Sequence, residues 1–153
     1  MEPKIVTLEP IKVLSIMKLG PYEKTAHESW ESIMKFAIPK GLVTKKTGTY
    51  GCSYDDPAKT APEKIRYEAC ISIDKDIEVE GDFKIKTIGD GKYVVLLHEG
   101  ACEEVARTYN VAFKWLADNK IDYRISPCIE KYLNYSHDID PKDLRTELYI
   151  PIK

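Results

Sequence analysis

Apolar residues recur along this chain at two different spacings, and the switches between them mark its elements. Residues 4–19 are rich in branched side chains with partial alternation. That predicts one or two strands, interrupted near Pro10, which cannot donate to a sheet ladder. Gly20-Pro21 ends the run and suits the opening of a helix. Over residues 22–38 the apolar positions are Ala26, Trp30, Ile33, Met34 and Ala37. Their spacing lays one face of an amphipathic helix, stopped by Pro39 and Gly41. His27 and Glu28 fall on its polar side. Residues 47–54 alternate again, with Tyr50, Cys52 and Tyr54 on one face and Gly51 and Ser53 on the other. After a turn-rich loop at 55–62, residues 63–74 predict a strand in which Ile65, Tyr67, Ala69, Ile71 and Ile73 share a face.

The charged stretch 74–82 reads as a link between halves. Residues 83–88 and 92–98 flank Gly89-Asp90-Gly91 and predict a hairpin. A second helix is expected over 101–119, with Cys102, Val105, Tyr109, Ala112, Phe113 and Leu116 as its core stripe. Trp115 and Val111 lie on the flank of that stripe. Residues 123–134 and 145–152 predict closing strands.

The second half echoes the first. Gly20-Pro21-Tyr22-Glu23 and Gly100-Ala101-Cys102-Glu103 each end a strand and open a helix, 80 residues apart. Pro62, Arg66, Glu68, Ile71 and Ile73 recur as Pro141, Arg145, Glu147, Ile150 and Ile152 at an offset of 79. The expectation is an α+β domain over residues 1–153, built from duplicated βαββ modules with pseudo-twofold symmetry. The repeats are placed at about 1–76 and about 80–153, each an antiparallel sheet carrying one main helix. One such module is a marginal core alone, so pairing favours burial and leaves a ligand groove between repeats.

Composition narrows the function. A net charge of −2 and a pI near 6.0 leave no electrostatic footprint for nucleic acid, so direct DNA binding is not expected. No apolar run is long enough to span a membrane, and no secretory leader opens the chain. The four cysteines Cys52, Cys70, Cys102 and Cys128 stand singly. They read as reduced thiols in a cytoplasmic protein, with no zinc site and no disulfide framework. His27, His98 and His137 are far apart, so no metal site and no cofactor is expected. Gly89-Asp90-Gly91 lacks the following helix and the lysine of a phosphate loop.

The carboxylate of interest is Glu130. Alternation places Cys128, Glu130, Tyr132 and Asn134 on one face, and the matching position at the 79-residue offset is Gly51. A Glu among apolar and aromatic neighbours is either solvated at a strand surface or buried and awaiting a positive ligand. Ten tyrosines and two tryptophans supply π faces for planar or cationic molecules.

Six segments fall in an order that resembles a known family. They are Gly20-Pro21-Tyr22, Tyr54-Asp55-Asp56-Pro57, Arg66–Ile71, Trp115-Leu116, Ile129–Tyr132 and Glu147–Ile152. The chain resembles the GyrI-like small-molecule-binding domain, also called the AraC-type effector-binding or SOUL/Rob-like domain, over essentially its whole length. The resemblance implies that a buried Glu, here Glu130, anchors amphipathic, planar or cationic drug-like ligands among aromatic side chains. It implies that Trp115 and Tyr132 belong to that site, and on this basis Tyr50, Tyr54, Tyr67 and Tyr149 are assigned to the pocket as well. Family members are often fused to a DNA-binding helix-turn-helix region; this chain reads as a standalone form, a sensor or sequestering protein. Around Trp115 the sequence departs from the family, continuing Leu116-Ala117-Asp118-Asn119 instead of through Pro and Ser-Gly. The resemblance also implies two alternatives. One is a hydrolase of cyclopropanoid DNA-alkylating natural products, with Glu130 as base and Tyr67 as hydrogen-bond donor. The other is a protein-binding modulator such as a gyrase inhibitor.

Overall fold

The computed structural model describes residues 2–135 and 138–153; His137 lies outside the described residues. In chain order the strands are β1 (Lys4–Leu8), β2 (Ile11–Leu19), β3 (Thr49–Ser53), β4 (Arg66–Ser72), β5 (Phe83–Ile88), β6 (Gly91–Glu99), β7 (Cys128–Tyr132) and β8 (Arg145–Pro151). The helices are α1 (Tyr22–Ala37) and α2 (Val105–Asp118). The fold is therefore α+β, with every strand pairing described below antiparallel. No described helix is long and apolar enough to cross a membrane.

The chain divides into two compact units, Pro10–Gly89 and the combination of Met1–Glu9 with Asp90–Lys153. In Pro10–Gly89 the strands lie in the order β3-β4-β2-β5. Register sets Leu14 opposite Ile71 and Ile85, and Ile16 opposite Ala69. These residues, with Tyr67, form the face against which α1 packs. The most buried line of α1 is Thr25, Ser29, Ile33 and Ala37, a strict four-residue step of mainly small side chains. Small residues there let the helix backbone approach the sheet, while Ala26, Trp30 and Met34 flank the contact. The Pro21 carbonyl accepts the N–H groups of Lys24 and Thr25, giving α1 its first turn. Alternation sends Val13, Ser15, Tyr50, Cys52, Glu68 and Cys70 to the other face of the same sheet, where all are buried.

In the second unit the order is β1-β6-β8-β7. Val94 stands opposite Ile150, and Leu96 opposite Leu148. Val94, Leu96, Ala112, Leu116, Ile150 and Ile152 form the core beneath α2. The helix expected over 101–119 begins as a 3-10 turn at Cys102–Glu104 and becomes α-helical at Val105. Its expected stripe is only partly right. Ala112 and Leu116 are buried, whereas Cys102 and Phe113 are exposed, and Trp115 packs half-buried against the core.

Two local expectations are corrected. Residues 83–88 and 92–98 do not form a hairpin: β5 pairs with β2, and β6 pairs with β1 and β8. Both sides of β6 are taken, so it has no free edge for β5. Positive φ angles at Gly89, Asp90 and Gly91 (80°, 91° and 106°) turn the chain between them. The charged stretch 74–82 is not a link between units but connects β4 to β5 inside Pro10–Gly89, with Ile77 and Val79 packed on the α1 core.

Candidate functional site

Glu130 sits in the middle of the five-residue β7. Its neighbour Ile129 is 2% exposed and fills one face of the sheet. A strand's two-residue period then commits Glu130 to the other face, beneath α2, opposite Leu148. Two phenols meet the carboxylate there. Tyr109, from the first half of α2, donates to Oε2 at 2.9 Å, and Tyr132, two positions along β7, donates to Oε1 at 3.2 Å.

Glu130 remains partly open to solvent, yet burial pushes its carboxyl above the ordinary range. The two tyrosine hydrogen bonds and the nearby His98 pull in the opposite direction without cancelling the effect. Among the described residues, no lysine or arginine forms an ion pair with Glu130.

The wall behind the carboxylate is polar and ordered. His98 of β6 is 1% exposed, and its register partner Thr146 faces Tyr132 across β8. Its Nε2 lies 2.9 Å from the Ala101 carbonyl, which only accepts, so Nε2 carries a proton. In the neutral ring Nδ1 then accepts from the Thr108 hydroxyl at 2.6 Å. Cys102 lies close by; although its surface is exposed, desolvation by the protein packed around it, then the charges of Glu130 and Glu103, push its thiol up.

An aromatic line leads outward from the same carboxylate. Tyr109 stacks on Phe113 with centroids 6.3 Å apart, and Phe113 meets Tyr123 edge-on at 6.1 Å. Phe113 is 40% exposed, Tyr123 61%, and the neighbouring Ile125 fully. Tyr109, Phe113 and Tyr123 were not among the sequence candidates. Tyr109 and Phe113 sat in an apolar helical stripe and read as core.

The other candidates occupy different surroundings. Trp115 shares the α2 core with Tyr109 and Cys128 at its margin. Tyr149 lies on the opposite face of its sheet from Glu130, bonded to Glu147 at 3.0 Å and edge-on to Tyr93. Tyr50, Tyr54 and Tyr67 belong to the Pro10–Gly89 unit. Tyr67 accepts the Trp30 indole N–H at 2.8 Å on the α1 side. Tyr54 donates to Glu68 at 2.6 Å, and burial and that contact push its phenol far up. Lys86 holds both Glu68 oxygens at 3.2 and 3.3 Å. Tyr50 is buried on the face that carries Cys52.

The cysteines do not all stand singly. Pairing of β3 with β4 sets Cys52 opposite Glu68 and Tyr50 opposite Cys70, bringing both thiols and the carboxylate onto one face. Ligand atoms of Cys52, Glu68 and Cys70 lie within 4.8 Å of one another. All four remain free thiols, and sequence spacing does not show this contact because a strand register makes it.

A family model described as the GyrI-like small molecule binding domain matches residues 1–153. The chain is similar to the probable transcriptional regulator YgiV of Escherichia coli (strain K12), 25% identical over 144 residues, 86% of this chain and 89% of that one. Among solved structures it superposes on the C-terminal domain of EcmrR with a TM-score of 0.83 at 15% identity, covering 99% of this chain and 97% of that one. It spans 57% of the EcmrR chain in an EcmrR–DNA complex, with a TM-score of 0.84. It also superposes on SAV2435 bound to tetraphenylphosphonium, with a TM-score of 0.65 at 15% identity, covering 100% of this chain and 94% of that one. At these identities the structural likenesses establish the fold.

Proposed function

The chain belongs to the GyrI-like small-molecule-binding domain family, and from that premise we propose that it binds amphipathic, planar or cationic small molecules at Glu130, as a sensor or sequestering protein. The observation that carries this reading is the state of Glu130. It is a desolvated, partly open carboxylate held by two phenols, without a lysine or arginine partner among the described residues. A charge in that position is costly until a cation arrives. The exposed Phe113 and Tyr123 offer π faces along the way out. The tetraphenylphosphonium bound by SAV2435 is a ligand of this chemical class. The equal strand order of the two units and the offset identities support an origin by duplication, with Glu130 standing where the first repeat has Gly51.

A cation at about 4 Å from a carboxylate gains about 4 kcal/mol at an effective dielectric of about 20. Desolvation of both partners offsets part of that. The expected net contribution of the charge is about 1.5–3 kcal/mol, roughly ten- to hundredfold in affinity. Titration of a panel of lipophilic cations and their neutral isosteres against wild type and Glu130→Gln tests it. Cation affinity should fall by that factor in the variant while the isosteres are little changed. Equal cation affinity in both proteins overturns the proposal.

A second reading is hydrolysis. A carboxyl raised above its ordinary range beside two phenols suits general acid–base chemistry on a bound ligand. In this geometry Tyr109 and Tyr132, which touch Glu130, are the natural donors for such a step. Turnover of a cyclopropanoid substrate that is lost in Glu130→Gln supports it; stoichiometric binding without product removes it.

A further inference from the structure

We propose that Cys52, Cys70 and Glu68 form a binding site for a thiophilic d10 cation, Zn²⁺ in the first instance, on the face of the Pro10–Gly89 sheet opposite α1. The three side chains come from two adjacent strands, and each is at most 2% exposed. Their ligand atoms lie within 4.8 Å of one another. Tetrahedral zinc, with Zn–S near 2.3 Å and Zn–O near 2.1 Å, needs donor atoms roughly 3.5–3.8 Å apart. Small side-chain rotations close that difference.

A second observation points to the same place. Ser15 lies directly across from Cys70 in the β2–β4 register, so it shares this face. It is 1% exposed, and its Oγ has no hydrogen-bond partner among the described residues. Buried hydroxyls are rarely left so. A metal ion in the cluster gives Ser15 a role, as fourth ligand or as partner of a metal-bound water.

Glu68 keeps capacity for the ion. A carboxylate has about four lone-pair sites. Tyr54 and Lys86 take two on Oε1, and Lys86 takes one on Oε2, which leaves one on Oε2. Charge also balances. Without metal, two thiols accompany the Glu68 carboxylate and the Lys86 ammonium that pairs with it. With metal, two thiols lose their protons to solvent as Zn²⁺ enters, so two positive charges replace two. The buried site stays neutral, and Lys86 becomes the counter-charge to a Zn(Cys)₂(Glu) centre. Uptake thus releases two protons per ion and needs no oxidant or reductant.

The test uses the full chain, reduced and stripped with a chelator. Titration with Co²⁺ should saturate at one equivalent, with thiolate-to-cobalt charge-transfer absorption and tetrahedral d–d bands that Zn²⁺ then displaces. Calorimetry of Zn²⁺ binding in buffers of different ionisation enthalpy should return close to two protons released. In wild type, bound Zn²⁺ should slow alkylation of Cys52 and Cys70 in moderate urea, where the metal-free protein opens and exposes these buried thiols, mapped by mass spectrometry, while Cys102 reacts alike with and without metal. Cys52→Ala and Cys70→Ala should each lose the charge-transfer band, whereas Cys102→Ala and Cys128→Ala retain it. The protection pattern needs no variant, so misfolding of the alanine proteins leaves it decisive. Absence of metal uptake by wild type, or protection confined to Cys102 or Cys128, overturns the proposal.

Discussion

Lys86→Met isolates what a buried ion pair does in this fold. Glu68 is 2% exposed and bonded by Tyr54 and by both contacts from Lys86, while the Lys86 side chain is 34% exposed. Methionine keeps most of the stem volume and removes the ammonium. The carboxylate then stays buried with one phenol for company. Breaking a buried pair from one side costs about 3–5 kcal/mol. The part-exposed lysine partner and water reaching its vacated position reduce that toward about 2–3 kcal/mol. For a chain of this length each kcal/mol is worth roughly 2–4 °C, so the melting midpoint should fall by about 5–10 °C. The reverse change is milder. In Glu68→Gln the amide oxygen still accepts from Tyr54 and Lys86 can turn to solvent, so the cost is about 1 kcal/mol. The double variant should lie close to Glu68→Gln alone, because no buried charge is left to strand. Urea unfolding of the four proteins gives the cycle, with a coupling of at least about 1.5 kcal/mol expected. A Lys86→Met protein within about 0.5 kcal/mol of wild type would refute the argument that Glu68 depends on this ammonium.

Two further predictions concern Glu130. Its carboxyl is raised in the folded state, so folding favours the protonated form. That contribution is fully present below the ordinary carboxyl range and is lost as pH rises through the raised value. Glu130→Gln should therefore melt higher than wild type at pH 7, and the advantage should vanish by about pH 4, the ordinary glutamate range; scanning fluorimetry across pH 4–8 checks it, and a variant less stable than wild type at pH 7 contradicts it. Tyr109→Phe removes the 2.9 Å hydrogen bond that stabilises the charged form. Cation affinity should fall by up to about tenfold, the factor that roughly 1.5 kcal/mol for a bond to a charged group allows, over the pH range where the variant's carboxyl is protonated and the wild-type one is not, so the pH midpoint of cation binding should move upward; an unchanged pH profile would show that the phenol does not tune the carboxylate.

What the sequence reveals about this protein depends on the range over which each feature is determined. The two helices were legible because a helix writes its burial into the spacing of neighbouring residues, although α1 buries Thr25, Ser29, Ile33 and Ala37 more deeply than the apolar line beside them. The face of Glu130 was legible for the same reason, since Ile129 and the two-residue period decide it locally. The phenol from α2 was not. Tyr109 is apolar along most of its ring, so an apolar stripe absorbs it, and only the packing of α2 over β7 shows its hydroxyl on Glu130. Strand partners were the least legible. The hairpin expected around Gly89-Asp90-Gly91 had the right turn chemistry and failed because β6 already had partners on both sides. The same blindness hid the thiol cluster. Cys52 and Cys70 are each visible as strand residues, but nothing in either strand states that Cys52 pairs with Glu68. A one-residue slip of β3 would send Cys52 to the α1 face and Gly51 toward Glu68. The pattern of the sheet opposes that slip, because it would turn Tyr50 and Cys52 to the α1 face in place of Gly51, beside Ala69 of the α1 core. Helix packing on one face of the sheet therefore fixes the chemistry available on the other.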